Sequence, residues 1–361
     1  MMTEHLTKVT VVGAGVLGLW QALACARAGF SVRLIEQNSK AIVGNASVLA
    51  GGMLAPDCER EAAPELVRDL GHGGVSMWKK LFPDVIACGS LVVAGARDRA
   101  ELTRFSKMTS GFEPLDEVQL SAMEPDLAGR FSSALFFADE AHVVVPEALA
   151  FLLCEVRRLG VEVILGERFC FGQGALGSDD QVIIDCRGMA ARDDPDAGMM
   201  PALSRLRGVR GERIIVQTED VHFHRPVRLL HPRHPIYVVP WDKGRFVVGA
   251  TVIESADKSG ASVRSVLELL STAFALNPTF GEAELLHVGA GVRPAFPDNI
   301  PRAVVLPDHR VISVNGAYRH GFLLAPVLAD AVLCYLQDGD DSHPLIVGPG
   351  FYSSNSCTHG Q

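Results

Sequence analysis

Residues 8–37 read KVTVVGAGVLGLWQALACARAGFSVRLIEQ, and few folds accommodate that order of letters. Residues 9–12 are β-branched throughout, which suits a short strand buried on both faces. Gly13, Gly15 and Gly18 follow at the spacing G-x-G-x-x-G, with Ala14, Val16 and Leu17 between them. Residues 16–27 are helix-compatible up to a stop at Gly29, and SVRLIE is a second strand ending in Glu36. Each part answers a physical need. Gly13 permits a tight turn, Gly15 lets a pyrophosphate approach the backbone, and Gly18 lets helix and strand pack closely. The helix N-terminus supplies unpaired N–H groups and the positive end of its dipole. Glu36 follows at the distance where an acid accepts hydrogen bonds from a ribose. The unit predicts dinucleotide binding and leaves the dinucleotide open.

The same stretch is apolar enough over residues 9–26 to resemble a signal peptide or membrane span, but no basic region precedes it and it opens as a strand. Neither export nor insertion is expected. A net charge of −9 with no basic block excludes a nucleic-acid surface. The eight cysteines are scattered with no C-x-x-C pair, as for reduced thiols used as small apolar residues in the cytoplasm. No metal-ligand spacing is evident.

Further along, residues 60–82 look helical, and GSLVVAG (89–95) looks like a strand. Residues 132–165 go strand, loop, helix, strand, with Pro146 in the first turn of the helix and Gly160 stopping it. QVIIDCRG (181–188) is another buried strand, residues 206–256 suggest antiparallel strands, and helix returns over residues 262–276. Residues 310–336 then repeat the opening theme: a strand to Val314, a polar loop between Gly316 and Gly321, and an apolar helix. A second glycine-headed helix N-terminus suits a large cofactor with a polar ring end. The pattern is a nucleotide-binding α/β layer interrupted by antiparallel insertions.

Several segments resemble a family in their order as well as their letters: VVGAGVLG, NASVLAGGMLAP (45–56), DEAHVVVP, HPIYVVPW, GRFVVGATVIES, GVRPAFPDN and NGAYRHGFLLAP. They are similar to the flavin-dependent amine oxidases of the D-amino-acid oxidase superfamily, and within it to the bacterial glycine oxidases of thiamine biosynthesis. The resemblance covers roughly residues 8–340. It implies an α/β fold, with a Rossmann-like FAD-binding domain of the GR2 type interrupted by an antiparallel β-sheet substrate-binding domain. The expected boundaries are residues 1–84, 145–205 and 302–345 for the first domain, 85–144 and 206–301 for the second, and a flexible tail over 346–361. It also implies non-covalent FAD, a small amino-acid substrate, O2 as acceptor, a homo-oligomer, and supply of thiamine thiazole synthesis.

Carried over by position, Ser47, Gly51, Gly52 and Met53 would lie along the flavin, joining the glycine turn and Glu36. The loop of Arg319, His320, Gly321, Phe322 and Leu323, entered at Gly316, would approach its pyrimidine end. Tyr237 and Arg293 match residues that bind the substrate carboxylate, and Arg319 matches a position on the substrate's other side. Three positions depart from the family. Trp241 stands where a basic residue often follows the proline of the YVVP strand, His234 where a tyrosine is frequent, and Val252 where a methionine lines the pocket in some members.

The chemistry of the residues agrees. An arginine inside an apolar run wants an anion, and a planar guanidinium can grip both oxygens of a carboxylate. The anion for Arg293 is either that carboxylate or a protein acid such as Asp298. Tyr237 is either a second donor to it or an ordinary core aromatic, and His320 either a base or a loop histidine shaping the turn. Relatives with covalent flavin use a cysteine a short way past the carboxylate region, and residues 293–316 contain none. A D-amino-acid dehydrogenase with a quinone or other acceptor, an NAD-dependent dehydrogenase, and a flavoprotein that only binds a ligand remain as alternatives.

Overall fold

The structure, a computed structural model, describes residues 7–40, 42–61, 63–171, 181–194, 203–307 and 310–348. The opening segment folds as its letters ask. Strand Lys8–Val12 leads through the glycine turn into helix Val16–Arg27, and strand Ser31–Glu36 returns parallel beside the first, Val11 facing Leu34. The helix stops where Gly29, at a φ of +92°, donates its N–H to the Ala26 carbonyl.

The chain forms two compact units: Met1–Val48 with Pro146–Gly208 and Arg293–Gln361, and Leu49–Val145 with Val209–Val292. The first holds a seven-stranded sheet in the order Ile346–Val347, Arg302–Val305, Val311–Asn315, Gln181–Asp185, Lys8–Val12, Ser31–Glu36, Glu162–Leu165. Neighbours are parallel except where Arg302–Val305 meets Val311–Asn315. Its central strands are buried on both faces, which is why they read as short runs rich in Val and Ile. Helix Gly321–Asp338 packs beside Val16–Arg27. By length and composition it could cross a membrane, but 67% of it is buried inside the protein, the surroundings of a core helix.

The second unit is built on a nine-stranded sheet. One path runs Ile253–Glu254, Arg207–Gln217, Arg245–Gly249, Ile236–Pro240, Val227–Leu230, Ser90–Ala94, Ser133–Phe137, Glu113–Asp116, with Glu284–Ala295 also pairing Arg207–Gln217. Pairing is antiparallel where the register is resolved, except between Val227–Leu230 and Ser90–Ala94. Helix Val263–Leu276 lays Leu269, Ala273 and Leu276 on this sheet against Ile214, Val238 and Val248. Each such Leu, Ile or Val side chain taken from water contributes about 1.5–3 kcal/mol.

Two boundaries differ from the sequence expectation by more than three residues. Residues 49–84 cluster with the second unit, because Met53 and Leu54 pair with His142 and Ala141 and the Cys58 N–H donates to Glu140 Oε1 at 2.8 Å. Residues 293–301 cluster with the first, where the Pro294 carbonyl accepts from the Tyr318 N–H at 2.9 Å and Ala295 bridges Ala317. Residues 346 and 347, expected in a loose tail, are a strand beside Arg302–Val305. The rest of that expectation, from residue 349 on, lies outside the described residues.

Candidate active site

In the first unit the glycine turn is closed tightly enough to exclude side chains. Gly13 has a φ of +100°, and a Cβ there would lie 2.9 Å from the Cys186 carbonyl oxygen. A Cβ on Gly18 would overlap the Gly13 carbonyl. Both contacts are with backbone carbonyls, so only glycine lets the turn close ahead of the helix N-terminus. Glu36 is buried at the end of its strand, where Oε2 accepts from the Ala14 N–H at 2.8 Å. Oε1 accepts from the Asn38 N–H at 3.0 Å and from Asn38 Nδ2 at 2.7 Å. Ser47 sits over the helix start, its Oγ accepting from the Val16 N–H at 3.0 Å, and Asn45 Oδ1 holds Ser47 in turn through its N–H at 3.0 Å.

The second glycine-headed helix begins next to the first: a Cβ on Gly321 would touch Val16 Cγ1 at 3.7 Å. Asn315, fully buried, shapes the turn into it. Its Oδ1 accepts from the Gly316 N–H at 2.8 Å and its Nδ2 donates to the Gly188 carbonyl at 3.0 Å. His320 is buried at the N-cap, its N–H donating to Ala317 at 2.7 Å and its ring edge-on to Tyr318. Phe322 and Leu323 are buried in the first turn, and Arg319 is half-buried just before it. Arg293 is also half-buried, on strand Glu284–Ala295 and one residue before the Pro294–Tyr318 bond. Asp298, the protein acid weighed as its pair, holds Arg302.

In the second unit, Tyr237, Gly51, Gly52 and Met53 come together. The Tyr237 ring lies against two glycines: a Cβ on Gly51 would meet its Cε2 at 2.7 Å, and one on Gly249 its hydroxyl at 2.6 Å. Gly52, at a φ of +89°, accepts from the Val143 N–H at 2.9 Å, and Met53 pairs with His142. Burial lowers the His142 pKa to about 4, so its ring is neutral, and Nε2 donates to the Pro240 carbonyl at 3.1 Å. Behind this layer Glu140 is fully buried, accepting from Ser90 Oγ and the Cys58 N–H, and desolvation raises its pKa to about 7.

Two neighbouring helix N-termini and a buried acid at the end of the second strand give the first unit the form of a dinucleotide-binding layer, and sequence comparison agrees. The family described as FAD dependent oxidoreductase (DAO) matches residues 8–334. The chain belongs to the DAO family of FAD-dependent oxidoreductases. It is 50% identical over 326 residues, 90% of this chain and 95% of the relative, to a Rhizobium etli protein provisionally named thiamine biosynthesis oxidoreductase ThiO. It is 26% identical to the glycine oxidase of Geobacillus kaustophilus, over 90% of this chain and 91% of that one. Among solved structures, glycine oxidase from Bacillus cereus aligns with a TM-score of 0.78 at 20% identity, covering 94% of this chain and 97% of that one. That last likeness shows the fold.

The residues of this DAO-family chain fit FAD. The glycine turn packs so closely that a Cβ at position 13 or 18 would strike a backbone carbonyl, and Glu36 Oε2 keeps lone-pair capacity beyond its bond to Ala14. Of the positions expected around the cofactor, Gly13, Ala14, Gly15, Val16, Leu17, Gly18, Glu36, Ser47, Gly316 and the loop Arg319 to Leu323 all fall in the first unit; Gly51, Gly52 and Met53 fall in the second. Sequence reasoning did not pick out Asn38, Asn45 or Asn315, although asparagine beside glycine in NGAY is a turn signal. It also missed His142 and Arg213, which take their places only through strand pairing.

Proposed function

We propose that this FAD-dependent oxidoreductase oxidises glycine or another small amino acid, such as sarcosine or a short D-amino acid, to the imine. Water then releases the 2-oxo acid and ammonia, or methylamine from sarcosine, and O2 takes the electrons to give H2O2. The reading is supported chiefly by the 50% identity to a relative named for thiamine biosynthesis over nearly the whole of both chains. The lower identity to glycine oxidases points the same way. Together they support a role upstream of the thiazole ring of thiamine.

Bound FAD would supply the two-electron acceptor for the hydride that leaves Cα. The chain's own work is to bind and orient. Arg293 grips the two carboxylate oxygens, fixing the direction of Cα–H as well as supplying affinity. The Tyr237 hydroxyl donates to the same carboxylate, its ring fixed by the glycine backbone at 51 and 249. Arg319 faces the substrate's other side. A substrate amine that arrives neutral needs no protein base, so His320 shapes the turn rather than moving a proton. The flavin is non-covalent, since residues 293–316 offer no cysteine.

The deciding experiment is anaerobic mixing of the purified yellow protein with glycine, sarcosine, D-alanine and L-alanine. Bleaching of the flavin bands by glycine or sarcosine is expected, with peroxide equal to imine once air is admitted. A flavin left unbleached by all four would overturn the substrate reading. Bleaching without peroxide would replace O2 by another acceptor.

A further inference from the structure

Position 241 carries tryptophan where a basic residue is expected after the YVVP strand, and a cation stands beside it on another strand. Arg213 pairs across the sheet with Gly249, and Gly249 pairs with Tyr237, so the three form one row on one face. Alternation along the strand sends Arg210 and Glu212 to the opposite face, where they bind each other at 2.7 Å. Arg213 is buried at 5% exposure, with its guanidinium carbon 5.9 Å from the centre of the Trp241 ring. That is the separation of a cation–π contact.

Both side chains hold the same short segment. Arg213 Nε donates to the Leu49 carbonyl at 3.0 Å, and Trp241 Nε1 donates to the Gly51 carbonyl at 3.3 Å. Between those points Tyr237 lies on Gly51, and the Leu49 side chain fills the space left open by Gly289 and Gly291. Residues 49–51 are thus braced by a charged donor, an indole donor and a ring, immediately before Gly52 and Met53. Burial lowers the Arg213 pKa and the neighbouring Tyr237 raises it, while the guanidinium charge helps lower that of His287. The positive charge is felt across this face of the sheet.

We propose that Arg213 takes the place of the basic residue expected at position 241 and is the positioning residue for the segment that leads into Gly52 and Met53. The cation stands on strand Arg207–Gln217 instead of at position 241, and from there it holds the Leu49 carbonyl. The inference rests on the FAD reading of Gly51, Gly52 and Met53, not on the choice of substrate.

The test is a double-mutant cycle read as FAD binding to the apoprotein, followed by flavin fluorescence and the visible band shape. Arg213→Met removes the charged donor from the Leu49 carbonyl and is expected to weaken FAD binding about tenfold or more. Trp241→Arg alone sets two guanidinium groups together and is expected to weaken it as well. The double variant restores the cation at 241 and is expected to return to within about threefold of the parent, with the parent band shape. Recovery of this kind separates exchange from a loss of packing, which a second substitution would deepen. Parent-like binding by Arg213→Met, or a double variant no better than the poorer single, would overturn the proposal. Should Arg213→Met alone fail to fold, the double variant still decides: folded and FAD-binding supports the exchange, unfolded refutes it. Because no substrate is present, a protein that binds FAD but is not reduced by glycine would sink the substrate reading and leave this one standing.

Discussion

Glu140 is a carboxyl with no exposure to water, held by Ser90 and the Cys58 N–H, with a pKa raised from 4.5 to about 7 chiefly by desolvation. The folded protein therefore keeps this proton to higher pH than the unfolded chain does. Its contribution is fully present below about 4.5 and is lost as pH rises to about 7, a change on the order of 3 kcal/mol. Glu140→Gln keeps the shape and removes the titration. Melting curves at about pH 5 and about pH 7.5 should show a smaller fall in Tm for the variant than for the parent. Equal falls would acquit the carboxyl. Tyr237→Phe is the matching probe of the substrate reading. The ring stays against Gly51 and Gly249, so FAD content and Tm should hold, while KM for glycine rises about tenfold with kcat little changed. An unchanged KM would mean the hydroxyl does not touch the carboxylate. Local geometry at the candidate site was legible in the sequence where neighbours along the chain make it, as in the close-packed turn at Gly13 and Gly18 and the acid ending the second strand, Glu36. Arg213 was not, because its row with Gly249 and Tyr237 exists only after three strands have paired.

Elements were legible on the same physical terms. Helix Val16–Arg27 is bounded by Gly15 and Gly29, and it and strand Ser31–Glu36 are rich in apolar residues, so local preference and burial agree. The twelve-residue strand Glu284–Ala295 was not visible as one. Its first five residues are all exposed, and its glycines at 289 and 291 have low strand preference. Here strand pairing and the Leu49 side chain decide, and neither is written locally. Helix Val263–Leu276 offers a test of a local signal: Ser262 is its N-cap, with Oγ accepting from the Ser265 N–H at 3.2 Å. Ser262→Ala should cost about 1 kcal/mol in denaturant unfolding and leave FAD content unchanged. A neutral result would show that the helix is held by Leu269, Ala273 and Leu276 alone.

At the scale of the molecule, each unit is assembled from pieces distant in sequence. The first needs residues 1–48, 146–208 and 293–361 together before its sheet is complete. Strand Gln181–Asp185 lies between Lys8–Val12 and Val311–Asn315, so the pairings that close the layer are among the longest in sequence. The two glycine-headed helices, starting at Val16 and Gly321, meet only in that assembled layer. A cofactor held by both N-termini therefore joins the ends of the chain and stabilises the native state by mass action. At a concentration a hundredfold above its Kd, FAD adds about 2.7 kcal/mol. Acid precipitation should release the yellow colour into the supernatant, since no covalent tie holds it. The apoprotein should melt several degrees lower, and Tm should climb back with added FAD in proportion to the logarithm of its concentration. Colour that stays with the acid pellet would mean a covalent flavin. An apoprotein that melts where the holoprotein does would mean the cofactor spans less of the assembled layer than its two helix termini imply.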